Sequence, residues 1–390
     1  MKRFIIIHYG EIGLKRANLD YFVEKMRKQV KYKLEKRFSA TFVVKHTLKR
    51  IFVPLPDRYV ESEYVEVLEK IFGIKTFRFV YEGSLDLDDL GEGILKYMPT
   101  FDVLPSSFRV SCKRSMQLPY KSVEAERYLG AYLLKNDFSI PVKMKDPDLT
   151  IGVEFFNNKS FFYYKTYKGL GGLSACSQGR LVSLISSGID SPVASWLMMR
   201  RGARVIFVHF HSFPFSDDSE MTQVEDLVNI LAQYQDDSKL YFVPFGEFQN
   251  EVGRCLEIPG SIRTILYRRM MFRVADAIAK KESAKGLITG ESFGQVASQT
   301  AENMFVVDEA SNIPVYRPLV AYDKEDIVNL AEKIGTYDIS KLPSSDTCTM
   351  FTSRKPELKA NLFDTASFEE NLDLKLWEDK LIEESEIKFF

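Results

Sequence analysis

Residues 180–192 read RLVSLISSGIDSP, an almost wholly apolar strand that runs into a turn of small residues with a helix starting directly behind it. Three further apolar runs of strand length follow, RVIFVHF, LYFVPF and GLITG, and helical patterns at about 190–201, 220–235, 261–283 and 323–334 separate them. Short apolar strands alternating with helices predict a parallel sheet covered on both faces, a Rossmann-like α/β domain. Ligands of such sheets bind beyond the carboxyl ends of the strands, where the strand order reverses. That rule puts the turn after the first strand in the candidate site. Its small residues let successive N–H groups converge, and the helix N-terminus adds partial positive charge. Ser186, Ser187 and Ser191 supply hydroxyls around Gly188, a set suited to a pyrophosphate. The same residues also make an ordinary serine-rich helix start with Pro192 in the first turn. The segment alone leaves both readings open. It is not a Walker A loop, because no G-x4-G-K-[ST] occurs in the chain.

Upstream the pattern differs. Residues 3–9 read as a strand, and Asn18 is positioned to cap a helix over about 19–37. Leu19, Phe22, Met26, Val30 and Leu34 recur there at helical spacing. TFVVKHTL and RIFVPL are strands, EYVEVLEKIF a helix and FRFVYEG a strand. This β-α-β-β-α-β order predicts a ferredoxin-like domain over 1–82. A second α+β unit follows over 83–168, with helices near 86–98 and 122–136, Ser122 as a cap, a strand at SFRVSCKRS, and a hairpin turning at Asn157-Asn158. Gly169, Gly171 and Gly172 mark a flexible linker over 169–175. The α/β domain then occupies 176–390.

A length of 390 residues accommodates these units. Lys and Arg number 53 against 54 Asp and Glu, and 45% of residues are hydrophobic, which excludes disorder throughout. No apolar run reaches the 18 or so residues of a membrane span. The apolar run after MKRF is too short for a signal peptide. Cys112, Cys176, Cys255 and Cys348 are scattered without metal-site or disulfide spacing, so no metal site is expected and the cytoplasm is the expected compartment. The balanced total hides an asymmetry. Residues 1–50 hold fourteen Lys and Arg against four acids, and residues 357–390 hold ten acids against four Lys. The basic head fits a polyanion partner or a solvated helix face, and the acidic tail reads as a solvated helix.

SSGIDS resembles the SGGxDS signature of the PP-loop ATP pyrophosphatases, which cleave ATP between its α- and β-phosphates. LISSGIDSPVASWLMMRRG, VHFHSFPF, YRRMMFRVA, TGESFGQVASQT, YRPLVAYDKEDI and DTCTMF, with HYGEIGLKR near the N-terminus, together resemble one family more closely. That family is the tRNA 4-thiouridine synthetases (tRNA sulfurtransferases), which are also linked to thiamine biosynthesis. The resemblance spans nearly the whole chain. It implies a ferredoxin-like domain, a THUMP RNA-binding domain at about 83–168, and a PP-loop domain. It also implies a tRNA partner held by its acceptor end and 3′ terminus, with ATP as substrate and Mg²⁺ accompanying it.

In that setting the basic residues become an RNA surface. Lys28, Lys31 and Arg37 on the first helix, with Arg109, Lys113, Arg114 and Lys121, would meet phosphates. Phe108 and Tyr120 beside them either stack unpaired bases or belong to the core. Leu184 and Ile185 end the first strand and His209 and Phe210 the second, so both pairs should line an adenine slot. His209 alone would more often be a core histidine. Gly290 would let ATP approach the fourth strand. Gln295 and Gln299 should face the same way on the next helix, and Arg268 should reach phosphate. Asp190 is electrostatically wrong in an anion loop unless it meets Mg²⁺ or orders the loop. The resemblance assigns Lys324 to charge on the departing pyrophosphate or at the reacting carbonyl, and Cys348 to a persulfide carrier charged by a cysteine desulfurase.

Two departures stand out. Ser187 occupies a position where the family usually has Gly, and a left-handed backbone there would cost Ser about 1 kcal/mol or more. The rhodanese domain of longer members is not expected, which leaves the second thiol and a thiamine role unassigned. A homodimer is expected, because the acceptor end and the target uridine lie far apart on tRNA. The rival readings are another PP-loop tRNA thiolase, an amide ligase, or an RNA-binding protein without catalysis.

Overall fold

The structure is a computed structural model that describes residues 1–47, 49–136, 138–215, 218–343, 353 and 355–390. The chain forms two compact units, Met1–Ser174 and Ala175–Phe390.

The first unit runs β1 (Arg3–Tyr9), α1 (Leu19–Phe38), β2 (Lys45–Thr47), β3 (Arg50–Pro54), α2 (Glu61–Leu68), β4 (Ile74–Gly83), α3 (Leu87–Lys96), β5 (Phe108–Arg114), α4 (Ser122–Lys135), β6 (Leu149–Phe156), β7 (Lys159–Tyr163) and β8 (Tyr167–Lys168). The expected β-α-β-β-α-β order is present through β4. Phe22, Met26, Val30 and Leu34 of α1 are buried against Ile5, Ile7, Phe77 and Phe79, so the helical stripe is the core face. Asn18 makes no capping bond, because it ends a 3₁₀ turn that already leads into α1. Nor does Ser122 cap α4. The Lys121 N–H donates instead to the Glu124 carboxylate at 2.7 Å. Asn157 and Asn158 both take left-handed backbone (φ 51° and 56°), the pair of angles a two-residue hairpin turn of type I′ requires.

A single sheet of order β2-β3-β1-β4-β7-β6-β5 crosses residue 82, with β8 added alongside β4. Tyr81 of β4 pairs with Phe162, which pairs in turn with Val153, and the Tyr81 and Phe162 rings stack at 5.2 Å. The glycine run expected to be a flexible linker is bonded to this sheet. Gly169 N–H donates to Lys75 O at 3.0 Å, Gly171 N–H to Ile74 O at 2.8 Å, and Gly73 N–H to Gly171 O at 2.7 Å. A Cβ on Gly169 would lie 2.3 Å from Ile74 O, so close backbone approach is what requires the glycine.

The second unit runs β9 (Arg180–Leu184), α5 (Asp190–Arg200), β10 (Arg204–His211), α6 (Ser219–Ala232), β11 (Lys239–Pro244), α7 (Gly246–Arg254), α8 (Arg263–Lys281), β12 (Leu287–Ile288), α9 (Ala301–Asp308), β13 (Val315–Tyr316), α10 (Lys324–Ile334), α11 (Tyr337–Ser340), α12 (Leu362–Glu369), α13 (Leu374–Glu383) and β14 (Glu386–Phe389). The sheet order is β13-β12-β9-β10-β11-β14. Its first five members are parallel, as the apolar strands predict, and β14 joins antiparallel to β11. The chain steps from β9 to β10 and β11, then returns to β12 on the other side of β9. The order therefore reverses at β9, and the cleft beyond its end is the switch-point site. The acidic tail is not merely solvated. Trp377 and Leu381 of α13 are buried on the central core, and Trp377 meets Phe248 edge-on at 5.7 Å.

Candidate active site

β9 ends at Leu184, and after five intervening residues α5 begins at Asp190. The Ser191 hydroxyl closes the intervening loop by accepting the Ser186 N–H at 2.9 Å and lying 3.2 Å from Ser186 O. A buried hydroxyl chain supports it: Ser195 donates to Ser191 O at 2.8 Å and lies 2.8 Å from the Ser183 hydroxyl. Ser191 thus staples the loop, where the sequence suggested a ligand donor. Among the described residues no side chain caps α5, and Asp190 and Ser191 at its start line the cleft, so its first N–H groups are available there to an anion. Ser187 and Gly188 both avoid the left-handed region, so Ser187 carries no backbone strain. The Ser187 side chain turns inward, its hydroxyl 3.5 Å from Glu220 Oε1, and does not line the cavity.

The cavity in this cleft collects most of the expected residues: Leu184, Ile185, Ser186, Gly188, Asp190, Ser191, His209, Phe210, Arg268, Gly290 and Gln299. His209 is buried, and its Nδ1–H donates to Ile185 O at 3.0 Å. Burial pushes its pKa down to about 4, so the ring is neutral and Nε2 is an acceptor without a partner among the described residues. Gly290 lines the cavity as expected and also meets a packing need. A Cβ there would lie 2.6 Å from Ser191 N, so the glycine lets the end of β12 reach the start of α5. Gln295 and Gln299 do not share a helix, because a turn and a short 3₁₀ segment occupy this stretch. Gln295 is exposed and lies outside the cavity. Gln299 lines it and accepts the Ser292 N–H at 3.3 Å.

The charged groups are paired. Lys324, the first residue of α10, meets Asp190 at 2.6 Å, which balances the carboxylate beside the anion loop. Arg268 pairs with the buried Glu291, whose other oxygen takes Arg317 Nε at 2.6 Å and the Thr289 hydroxyl at 2.8 Å. Burial alone would raise the Glu291 pKa, but Arg268 and Arg317 outweigh it and hold the carboxyl below the usual range. Glu220, Thr289, Glu291, Met271 and Phe272 also line the cavity and were not anticipated. The only signal for Glu291 was an acid placed directly after Gly290 at a strand end. Among the described residues, no three His, Cys, Asp or Glu side chains could hold a metal ion.

Cys348 lies outside the described residues. Burial pushes the Cys112 thiol up to about 12. Cys255 is partly exposed, and its thiol is raised by desolvation and by Glu257. On the expected RNA surface, Lys28 pairs with Glu24 at 3.7 Å, Lys31 with Glu35 at 3.8 Å and Arg37 with Glu63 at 2.9 Å; on α1, Lys28 and Arg37 are exposed and Lys31 is half-buried. Lys113, Arg114 and Lys121 are exposed, while Arg109 is half-buried and donates to Met144 O at 3.1 Å. Phe108 is buried in the core against Phe138, and the half-buried Tyr120 donates to Leu85 O at 2.9 Å; neither is an open stacking platform. No helix among the described residues is long and apolar enough to cross a membrane.

Comparison with known proteins bears on this arrangement. Residues 176–374 match the family model "Thiamine biosynthesis protein (ThiI)", residues 4–77 its ferredoxin-like domain and residues 85–165 the THUMP domain. A probable tRNA sulfurtransferase from Caldanaerobacter subterraneus subsp. tengcongensis is 39% identical over 385 residues, 98% of this chain and 99% of that protein. One from Halothermothrix orenii is 38% identical over 392 residues, 99% and 97% of the respective chains. The crystal structure of a 4-thiouridine synthetase–RNA complex with bound ATP superposes with a TM-score of 0.87 at 31% identity, covering all of both chains. A solved protein from Pyrococcus horikoshii Ot3 shares the fold, with a TM-score of 0.63 at 23% identity over 86% of this chain and 100% of that one. A strand-end loop stapled by serine, an uncapped helix start and a full-length likeness agree: the chain belongs to the thiamine biosynthesis protein (ThiI) family of tRNA sulfurtransferases.

Proposed function

We propose that this chain uses ATP to adenylate O4 of a tRNA uridine, position 8 in the family, and then replaces that oxygen by sulfur to give 4-thiouridine. The observation that carries the reading is the cavity at the switch point, bounded by the uncapped N-terminus of α5 and lined by Arg268 and the Asp190–Lys324 pair. ATP would lie with its adenine against Leu184, Ile185 and Phe210, where the free Nε2 of His209 accepts an N–H of the exocyclic amine. The α5 N–H groups, Arg268 and Lys324 would take the phosphates.

The uridine O4 attacks the α-phosphorus, an O4–P bond forms, and the bond to the β-phosphate breaks to release pyrophosphate. A persulfide on Cys348 then attacks C4, and AMP leaves with O4. Freeing the thiocarbonyl breaks the sulfur–sulfur bond and needs a second thiol, which becomes disulfide-bonded to Cys348. Mg²⁺ carried by the nucleotide needs only one or two carboxylates. Asp190, which lines the cavity and is partly exposed, is the one that fits; the ion would neutralise phosphate charge there.

The division of labour follows the sequence: residues 1–82 and 83–168 hold the tRNA through α1 and the β5–α4 region, and 176–390 perform the chemistry. A cysteine desulfurase supplies the sulfur. A homodimer lets one subunit grip the acceptor end while its partner modifies the uridine, and the cytoplasm is the compartment that fits a tRNA substrate. The test is nucleoside mass spectrometry of tRNA from a deletion strain, with ATP–pyrophosphate exchange measured on the purified protein. Loss of 4-thiouridine and tRNA-dependent exchange are expected. Normal 4-thiouridine levels would overturn the reading, and exchange dependent on a carboxylic acid and ammonia would favour an amide ligase.

A further inference from the structure

A buried carboxylate lines the cavity that is read above as an anion site. Glu291 follows β12 and Arg317 follows β13, and these strands pair in register (Leu287 with Val315, Ile288 with Tyr316), so both residues leave the carboxyl edge of the sheet together. Glu291 is 3% exposed. One of its oxygens takes Arg268 from α8, and the other takes Arg317 Nε at 2.6 Å and the Thr289 hydroxyl at 2.8 Å. Arg317 is gripped from its far side by Asp308, through Nη1 to Oδ2 at 2.9 Å and a second bond from Nη2 to Oδ1. The result is a chain of alternating charge, Arg268–Glu291–Arg317–Asp308, of which only Arg268 and Glu291 reach the cavity wall.

A carboxylate cannot itself meet a phosphate, and at close range it repels one. Among the described residues Arg268 makes one other hydrogen bond, Nη1 to the Ser298 hydroxyl at 3.2 Å, and its buried Nε has no partner. Without Glu291, the long arginine side chain would be free to change rotamer, and ordering it on ligand binding would cost affinity. We propose that Glu291 is a positioning residue for the nucleotide: its carboxylate, itself braced by Arg317 and Thr289, holds the Arg268 guanidinium at the cavity wall in the orientation that receives a phosphate. This rests on the ATP-using function proposed above. It concerns a residue that acts only through another.

The two roles open to Glu291 predict opposite signs. If it is merely a negative charge near the site, Glu291→Gln removes repulsion and tightens nucleotide binding. If it positions Arg268, Glu291→Gln weakens binding roughly tenfold even though a repulsive charge has gone. The probe is α,β-methylene ATP, which cannot be cleaved between the α- and β-phosphates, titrated calorimetrically into the intact protein. Arg268→Ala should weaken binding at least as much, and the double variant should be no worse than Arg268→Ala alone, because the two act as one unit. Glu291→Asp should recover part of the loss. In the exchange reaction the change should fall on KM for ATP with kcat largely retained.

Unchanged or tighter binding by a folded Glu291→Gln protein overturns the proposal, as does a double variant whose losses simply add. If Glu291→Gln does not fold, Thr289→Val decides. It removes only the hydroxyl brace and should weaken binding two- to threefold, whereas wild-type affinity would sink the idea. A wild-type protein that binds no analogue refutes the ATP reading itself, a result distinct from a failure of the variants.

Discussion

Replacing Gly290 by Ala tests the join between β12 and α5. The added Cβ would lie 2.6 Å from Ser191 N, 2.8 Å from Ser191 Cα and 2.9 Å from the Asp190 carbonyl carbon. All three are backbone atoms, so no side chain can swing away. Reaching an ordinary contact requires the strand end and the first turn of α5 to separate by roughly 0.5–0.8 Å, an overpacking that costs about 1–3 kcal/mol. With a urea m-value of about 2–3 kcal/mol/M, the midpoint should fall by roughly 0.3–1.5 M. Trp196 and Trp377 are the chain's two tryptophans, and both are buried in the second unit. Their fluorescence therefore reports on the unit that holds the substitution. The shift also pulls Ser191 from the 2.9 Å bond that closes the loop. A binding site tolerates only about 0.5 Å of misplacement, so nucleotide affinity should fall about tenfold or more. Gly188→Ala is the control. Its Cβ would meet only Ser186 Oγ, at 3.5 Å, so stability should change by about 0.5 kcal/mol or less. The reasoning fails if Gly290→Ala unfolds at the wild-type midpoint and binds nucleotide normally, or if Gly188→Ala is the less stable of the two.

Joint replacement of Lys28, Lys31 and Arg37 by Ala breaks partly exposed ion pairs and the contact of Arg37 with the Phe38 ring, so stability should fall by no more than about 1–2 kcal/mol. The salt slope of tRNA binding should flatten by up to about 3 units, while tRNA-free nucleotide binding stays intact; an unchanged slope would place the RNA surface elsewhere. Cys348→Ser should abolish thiolation driven by the desulfurase and cysteine yet spare adenylation, and Asp190→Ala should do the reverse. Wild-type thiolation by Cys348→Ser under those conditions would rule out the carrier role. For His209 the folded pKa of about 4 lies below the unfolded value of 6.5, so the unfolded chain takes up the proton first. Its contribution is complete above about pH 6.5 and is lost as the pH falls toward 4, amounting to about 2 kcal/mol at pH 5. Urea midpoints equal at pH 8 and pH 5 would contradict a neutral, buried ring.

Local periodicity carried most of the architecture. The α1 stripe from Phe22 to Leu34, the Asn157-Asn158 turn and the apolar strands β9 to β11 are each decided by residues close in sequence, and each stands where the pattern put it. The loop residues Ser186 to Ser191 were legible for the same reason. What escaped depends on distant partners. Arg268, Glu291 and Arg317 meet across 23 and 26 residues, and no spacing rule pairs them. Gln295 and Gln299 were misplaced because a helical phase was assumed for a stretch that turns instead. The acidic tail misled through composition: its charges cover one side, while Trp377 and Leu381 supply the buried side and β14 is too short to show a period.

The one sheet shared by residues 1–168 has a mechanical consequence. β4 belongs to both halves, with Arg3 to Tyr9 along one edge and Ser160 to Phe162 along the other near its end, and Tyr167-Lys168 returns to its beginning. A cut at residue 82 or 83 would therefore tear a strand from its neighbours and leave a raw edge of unpaired N–H and C=O groups on each piece, prone to sticking to other chains. The shared strand predicts that the two halves unfold together, which a single melting transition of residues 1–168 would show. RNA bound at the exposed Lys113 and Arg114, as proposed above, would load an unbroken run of paired strands from β5 through β6, β7 and β4 to β1.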